Sequence, residues 1–214
     1  MIGWEKHLAG RFLVLDGPDG SGKSTQFRRL CDHLRATGLT VCEVREPGGT
    51  LIGEQIRRVL LDPASEPMDT RCEMLLYMAS RAQLIAETIT PALARGECVV
   101  ADRFISSTLA YQGAAGGIPI DDILAVGRVA IGQHWPDLTL IFDVDERTAA
   151  RRLNPLLDRM EQKGAAYHAR VRQGYLEQAK NDPKHYVVLD ARGEPDAVFD
   201  AMIAALAHHF RGKK

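Results

Sequence analysis

Residues Gly17 to Thr25 read Gly-Pro-Asp-Gly-Ser-Gly-Lys-Ser-Thr, a full match to G-x-x-x-x-G-K-[ST], the spacing with which backbone amides cradle a polyphosphate. Gly17, Gly20 and Gly22 let the backbone turn its N–H groups inward, and a helix starting there aims its positive end at the anion. Lys23 would reach the β- and γ-phosphates of ATP, and the Ser24 hydroxyl would complete a Mg²⁺ shell. Pro18, Asp19, Ser21 and Thr25 complete the expected ATP-binding loop. A glycine-rich loop that merely caps a helix would not need the lysine and serine in register.

Such a loop serves GTPases, motor ATPases and small-molecule kinases alike, so the neighbouring residues decide. Arg45 stands before a Pro-Gly-Gly turn in Arg45-Glu-Pro-Gly-Gly-Thr50, where its planar fork suits a second phosphate. Asp102-Arg103 offers a carboxylate for the metal shell and another guanidinium, and Arg81 projects toward the same region. Three arginines, a lysine and a metal meet the needs of phosphoryl transfer between two anionic substrates, which rests on positioning and charge neutralisation. No base-activated nucleophile is visible, so the transfer would be direct.

Placing these residues together requires particular elements. Short apolar runs at Phe12 to Asp16, Thr40 to Arg45, Cys98 to Asp102, Leu138 to Asp143 and Tyr186 to Asp190 alternate with helical patterns. This is the α/β signature: a parallel sheet of about five strands with helices on both faces and ligands at the strands' carboxyl ends. Asp16 and Asp143 close strands and read as caps of the next helix, and Ser107 as a residue capping or lining a helix. The helix from about Asp69 to Arg95 carries more apolar residues than one packing layer needs, which points to a second subunit on one face.

Across 214 residues, 45% hydrophobic, the chain suffices for one domain with a substantial core. Lys plus Arg (27) nearly cancels Asp plus Glu (28), which argues against nucleic acid or an anionic membrane as partner. No run approaches the roughly 18 apolar residues of a membrane span, and residues 1–10 lack the apolar centre of a signal peptide, so a cytoplasmic location is expected. Cys31, Cys42, Cys72 and Cys98 show no C-x-x-C spacing and read as buried free thiols.

Together, G-P-D-G-S-G-K-S-T, R-E-P-G-G-T, Y-M-A-S-R-A-Q, D-R-F-I-S-S-T-L-A-Y-Q-G, P-D-L-T-L-I-F-D-V and L-D-R-M-E resemble the bacterial thymidylate kinase family from about Phe12 to Ala191. The resemblance implies a P-loop kinase fold with a mobile lid, here about 151–161, and phosphorylation of dTMP to dTDP by ATP and Mg²⁺ in dTTP biosynthesis, by a homodimer. It places Arg45 and Arg103 on the dTMP phosphate, Tyr77 stacked on thymine, Arg81 at the base O4 and Thr108 at N3. Tyr111 and Gln112 would close the pocket beside the deoxyribose, and Asp19 would reach the 3′-hydroxyl or the metal shell. Ser24 and Asp102 would attend the metal, and Lys23, Arg103, Arg152 and Arg159 the transferring phosphate. Two positions depart from the family pattern: Asn154-Pro155 stands where Arg-Gly is common, and Gly116 where an Arg is. Either Arg152 or Arg159 then replaces the lost lid arginine, or the rate suffers. Two other readings stand beside this one: a kinase for another nucleoside monophosphate, and a non-catalytic nucleotide-binding protein.

Overall fold

The structure is a computed structural model and describes residues 3–152 and 158–211. Its centre is a parallel sheet of five strands: β1 (Phe12–Asp16), β2 (Val41–Arg45), β3 (Cys98–Asp102), β4 (Leu138–Asp143) and β5 (Tyr186–Asp190), in the order β2-β3-β1-β4-β5. Four strands match the expected bounds, and β2 begins one residue after Thr40. β1, β3 and β4 are covered on both faces and are almost wholly buried, as their unbroken apolar runs require. β2 and β5 lie at the edges and expose Glu43, Arg45, Val188 and Asp190.

The alternation of side chains along β1 divides the core. Leu13 and Leu15 face α1 (Lys23–Ala36) and α9 (Pro195–Phe210), packing with Leu30, Leu34, Met202 and Phe210. Phe12 and Val14 face the other side, against Met74 and Met78 of α3 (Thr70–Leu84) and Ile123 of α6 (Ile120–Ile131). α2 (Leu51–Leu61) packs beside α3 and is capped by Thr50, whose hydroxyl accepts from the Gly53 amide at 3.0 Å.

The long helix expected at 69–95 is not uniform. Asp69 caps α3 by accepting from the Arg71 amide at 2.9 Å, but the chain widens to a π-helical turn over Ile85–Ile89 before α4 (Thr90–Ala94). A second π-helical turn, Leu109–Ala115, follows the short α5 (Ile105–Thr108) and carries Tyr111 and Gln112. Such turns re-aim side chains and occur at functional sites. α7 (Glu146–Arg152) and α8 (Ala165–Asn181) flank the expected lid; Asn154 and Pro155 lie outside the described residues. α8 lies against the second π turn with Gly174 at the contact, where a Cβ would sit 2.6 Å from that of Ala114. This approach brings the next residue, Tyr175, to the end of β1.

The helix-cap expectations for Asp16 and Asp143 do not hold. Asp16 gathers donors from several elements, described below, and Asp143 makes a two-pronged ion pair with Arg172 of α8 at 2.6 and 2.8 Å. Asp145, two residues on, caps α7 through the Thr148 amide at 2.9 Å. Among the cysteines, Cys31 and Cys98 are buried and burial pushes both thiols up to about 12. Cys42 is only partly covered and Cys72 is exposed, because it falls on the outer face of α3. No described helix is long and apolar enough to cross a membrane.

Candidate active site

β1, β2 and β3 end together. Parallel register sets Leu15 and Arg45 each against Asp102, so the phosphate loop, the Arg45 turn and the Asp102-Arg103 pair open onto one edge. Gly22 is the N-cap of α1 with φ of 83°, a left-handed conformation that a side chain would strain, and no side chain caps it by a hydrogen bond. Gly17, at φ of 139°, passes so close to β4 that a Cβ would lie 2.6 Å from the Phe142 carbonyl oxygen. Lys23 curls back over this loop, donating to the Pro18 carbonyl at 2.8 Å.

Above the edge lies a cavity of about 460 Å³ bordered by Lys23, Ser24, Arg45, Tyr77, Asp102 and Arg103, with Asp19, Thr108, Tyr111, Gln112 and Arg152 also on its wall. A second cavity of about 470 Å³ adjoins it across Gly20 and Gly22, between Arg152, Gln26 and residues Gly193–Pro195. Ser24 donates to Asp102 Oδ2 at 3.1 Å. A hydroxyl and a carboxylate meeting beside a phosphate loop suit Mg²⁺, which takes few protein oxygens and fills its shell with phosphate and water. Among the described residues no cluster of three or more His, Cys, Asp or Glu exists to hold an ion alone.

Arg103 has φ of 69°, left-handed for a residue with a side chain, and its surroundings enforce this. Nη1 reaches the Gly17 carbonyl, Ser107 and Tyr175, each at 3.1 Å, while Nη2 pairs closely with Asp19. Beneath it, buried Asp16 accepts from Ser106 at 2.5 Å, Ser107 at 2.8 Å, Tyr175 at 2.7 Å and the Gly17 amide at 2.9 Å. Ser107 is thus part of this network rather than a cap. Asp19 also takes the Tyr111 hydroxyl at 2.6 Å. Burial works to raise the Asp19 carboxyl, but Arg103, Lys23 and Tyr111 together hold it below its ordinary range.

Arg45 is exposed and paired with Glu54 at 3.0 Å. Arg57, which the motif reading missed because it lies mid-helix without a flanking signature, borders the same wall and donates to the Pro47 carbonyl at 2.8 Å. Tyr77 is partly buried on the wall, and Gln112 donates to Glu73 at 2.6 Å.

Arg81 points toward the region of the cavity, as expected, but lies behind its wall. It is 1% exposed and does not border the cavity; Nε and Nη2 are held by Glu46 at 2.8 and 2.5 Å, and Nη1 faces Thr108 Oγ1 at 3.2 Å. Burial pushes the Glu46 carboxyl up to about 7 despite the pull of Arg81. Arg159 also stays out of the cavity: it is 4% exposed, with Nε on the Leu60 carbonyl at 2.7 Å and Nη2 on Glu73 at 2.6 Å. Arg152 borders both cavities and donates to the Ala191 carbonyl at 2.8 Å. At Gly116 a Cβ would lie 2.7 Å from the Gln112 carbonyl oxygen, so the missing arginine coincides with a tightly packed turn.

A phosphate loop at the end of the central strand, with a basic second wall facing it across one cavity, defines a P-loop phosphotransferase acting on two anionic partners. The family model for thymidylate kinase matches residues 15–202. The chain is 44% identical over 213 residues to the thymidylate kinase of Ectopseudomonas mendocina, covering 96% of this chain and all of that one. It is 45% identical over 202 residues to that of Deinococcus radiodurans, covering 92% and 97%. A solved thymidylate kinase from Ehrlichia chaffeensis superposes with a TM-score of 0.75 at 32% identity, covering 92% of this chain and 98% of that one. The chain belongs to the thymidylate kinase family.

The position of Lys23 has a measurable consequence. Burial, reinforced by the Arg103 charge, pushes its amine down to about 8 in the free protein. Phosphate oxygens restore the charge, so ATP binding near pH 8 should take up a proton, and affinity should fall as pH rises through 8. Calorimetric titrations in buffers of differing ionisation enthalpy measure this uptake, and Lys23→Arg should abolish it.

Proposed function

We propose that the dTMP kinase reaction of this chain, transfer of the γ-phosphoryl group of ATP to dTMP giving dTDP and ADP, takes place across the cavity bordered by Lys23, Arg45 and Arg103. The observation that carries the reading is the gathering of basic groups around one cavity at one sheet edge: Lys23 and the α1 terminus, Arg103 lying against the phosphate loop, and Arg45 at the end of β2. Bound at Ser24 and Asp102, Mg²⁺ would neutralise charge on the β- and γ-phosphates. Lys23 and the loop amides hold the donor phosphates, while the adjoining cavity between Arg152 and Gly193 has room for the donor's base. Arg45 and Arg103 hold the acceptor phosphate in line, Tyr77 stacks on the base, and Thr108 with Arg81 reads its edge. Tyr111, Gln112 and Asp19 close around the sugar. We assign the reaction to the cytoplasm and to a single-domain enzyme; the one five-stranded sheet with helices on both faces supports the single domain.

Kinetics with three acceptors test this pocket. dUMP lacks only the thymine methyl, worth about 1 to 3 kcal/mol, and should be poorer by roughly 10- to 200-fold in kcat/KM. dCMP sets an amino group against the Arg81 donor and should be rejected by about 10⁴-fold. Equal use of dCMP and dUMP would sink the assignment of the base-reading residues.

The lid arginines divide by geometry. Arg152 borders the cavity, so Arg152→Ala should lower kcat by about 10³-fold, the low end for an arginine finger, with dTMP affinity little changed. Arg159 is tied to buried Glu73, so Arg159→Ala should instead cost about 3 to 5 kcal/mol of stability, the range for breaking a buried pair. Denaturant unfolding beside steady-state kinetics separates the two.

The family's homodimer fits the outer surface. Cys72, Leu75, Ala79 and Ala86 lie exposed along one face of α3 and the turn after it, with Leu75 52% exposed, and α6 adds Val129 at 87%. Sedimentation should give twice the 23.6 kDa chain mass, and Leu75→Glu should shift the protein to monomer.

A further inference from the structure

We propose that Glu46 is the positioning residue that fixes the Arg81 guanidinium for reading the acceptor base, an inference resting on the reading that Arg81 donates to the base. Its carboxylate takes Nε at 2.8 Å and Nη2 at 2.5 Å, leaving Nη1 as the one edge not held by a carboxylate. That edge faces Thr108 Oγ1 at 3.2 Å and Met78 Sδ at 3.1 Å, and Thr108 borders the cavity. The Phe104 ring lies 5.0 Å from the guanidinium carbon. With one edge clamped and one face covered, the group cannot rotate to offer a different arrangement. Arginine only donates, so the fixed edge can donate to a carbonyl oxygen but would set donor against donor at an amino group.

Stability alone gives little reason for the pair. A buried ion pair is costly to desolvate and is often matched by apolar residues of equal size. Glu46 differs from a purely structural partner in bordering the cavity itself, and it follows Arg45 directly in the chain. One strand end therefore sets both the phosphate-binding arginine and the clamp on the base reader. The Glu46 amide bonds to the Asp102 carbonyl at 3.0 Å, which ties this clamp to the end of β3.

The test is Glu46→Gln, which keeps size and loses the charge. KM for dTMP should rise by about tenfold or more, as for a lost charge-assisted bond. The ratio of kcat/KM for dTMP to that for dCMP should fall by at least about tenfold, since it depends on unpaired donors. KM for ATP should stay at its wild-type value, which a general loosening of the fold would not allow. Glu46→Asp keeps the charge but shortens the reach and should relax the ratio in the same direction. Wild-type discrimination in whichever variant folds, or failure of both to fold, overturns the positioning role. Arg81→Lys separates the two layers. If it relaxes discrimination while Glu46→Gln does not, only the inference about Glu46 fails; if it leaves discrimination unchanged, the base-reading assignment fails first.

Discussion

Asp16 has no exposed surface, and a carboxylate in that position is tolerated only when donors surround it. They come from the phosphate loop through the Gly17 amide, from α5 through Ser106 and Ser107, and from α8 through Tyr175. None can leave without stranding a buried charge. The strand that precedes the phosphate loop, the segment that presents Arg103 and the helix that follows the lid are therefore fixed relative to one another. Arg103 pairs with Asp16 at 3.4 Å and with Asp19 more closely, so its left-handed backbone is held in place by the same network.

How much of this was legible in the sequence depends on whether an interaction is local. The phosphate loop was legible because each residue's task is set by its neighbours in the chain, and the strand ends because apolar runs stop at polar residues. β2 and β5 were found despite sitting at the edges, since β-branched residues persist there beside the exposed charges. The Asp16 network was misread as a cap because its side-chain donors come from positions 87 to 159 residues away. The pairing of Arg81 with Glu46 spans 35 residues and has no periodic signature either. The π turns at Ile85–Ile89 and Leu109–Ala115 were hidden for another reason: one extra residue per turn leaves an apolar helical pattern almost unchanged.

The basic side chains of the cavity are partnered before any phosphate arrives, and their partners differ in cost. Arg45 is exposed and bonded to Glu54, a pair worth at most about 1 kcal/mol, so an incoming phosphate displaces it easily. Arg103 is mostly buried and held by Asp19, so the carboxylate acts less as a placeholder than as a splint that keeps the fork aimed. Arg81 is the extreme case, enclosed with its counter-ion and unable to serve as a phosphate ligand. In the proposed reading, burial thus sorts three arginines into three tasks: a displaceable anion receptor, a fixed anion clamp and a neutralised hydrogen-bond donor.

The same sorting applies around the lid. Arg159 and Lys163 both converge on Glu73, which is 1% exposed and also accepts from Gln112 on the cavity wall. A buried carboxylate with three donors, two of them charged, is a poor hinge, because moving any partner exposes it to unpaired burial. The chain after residue 157 is therefore anchored, and it is anchored to the same residue that orients Gln112 on the cavity wall. Arg152, at the start of the expected lid, donates among the described residues to backbone carbonyls at Ala191, Arg192 and Gly193. Those bonds are neutral at the acceptor and solvent-accessible, hence cheaper to exchange for phosphate oxygens. Of the two arginines, Arg152 is therefore the one that can move without leaving a buried charge behind, which is why the proposed reading gives it the transferring group.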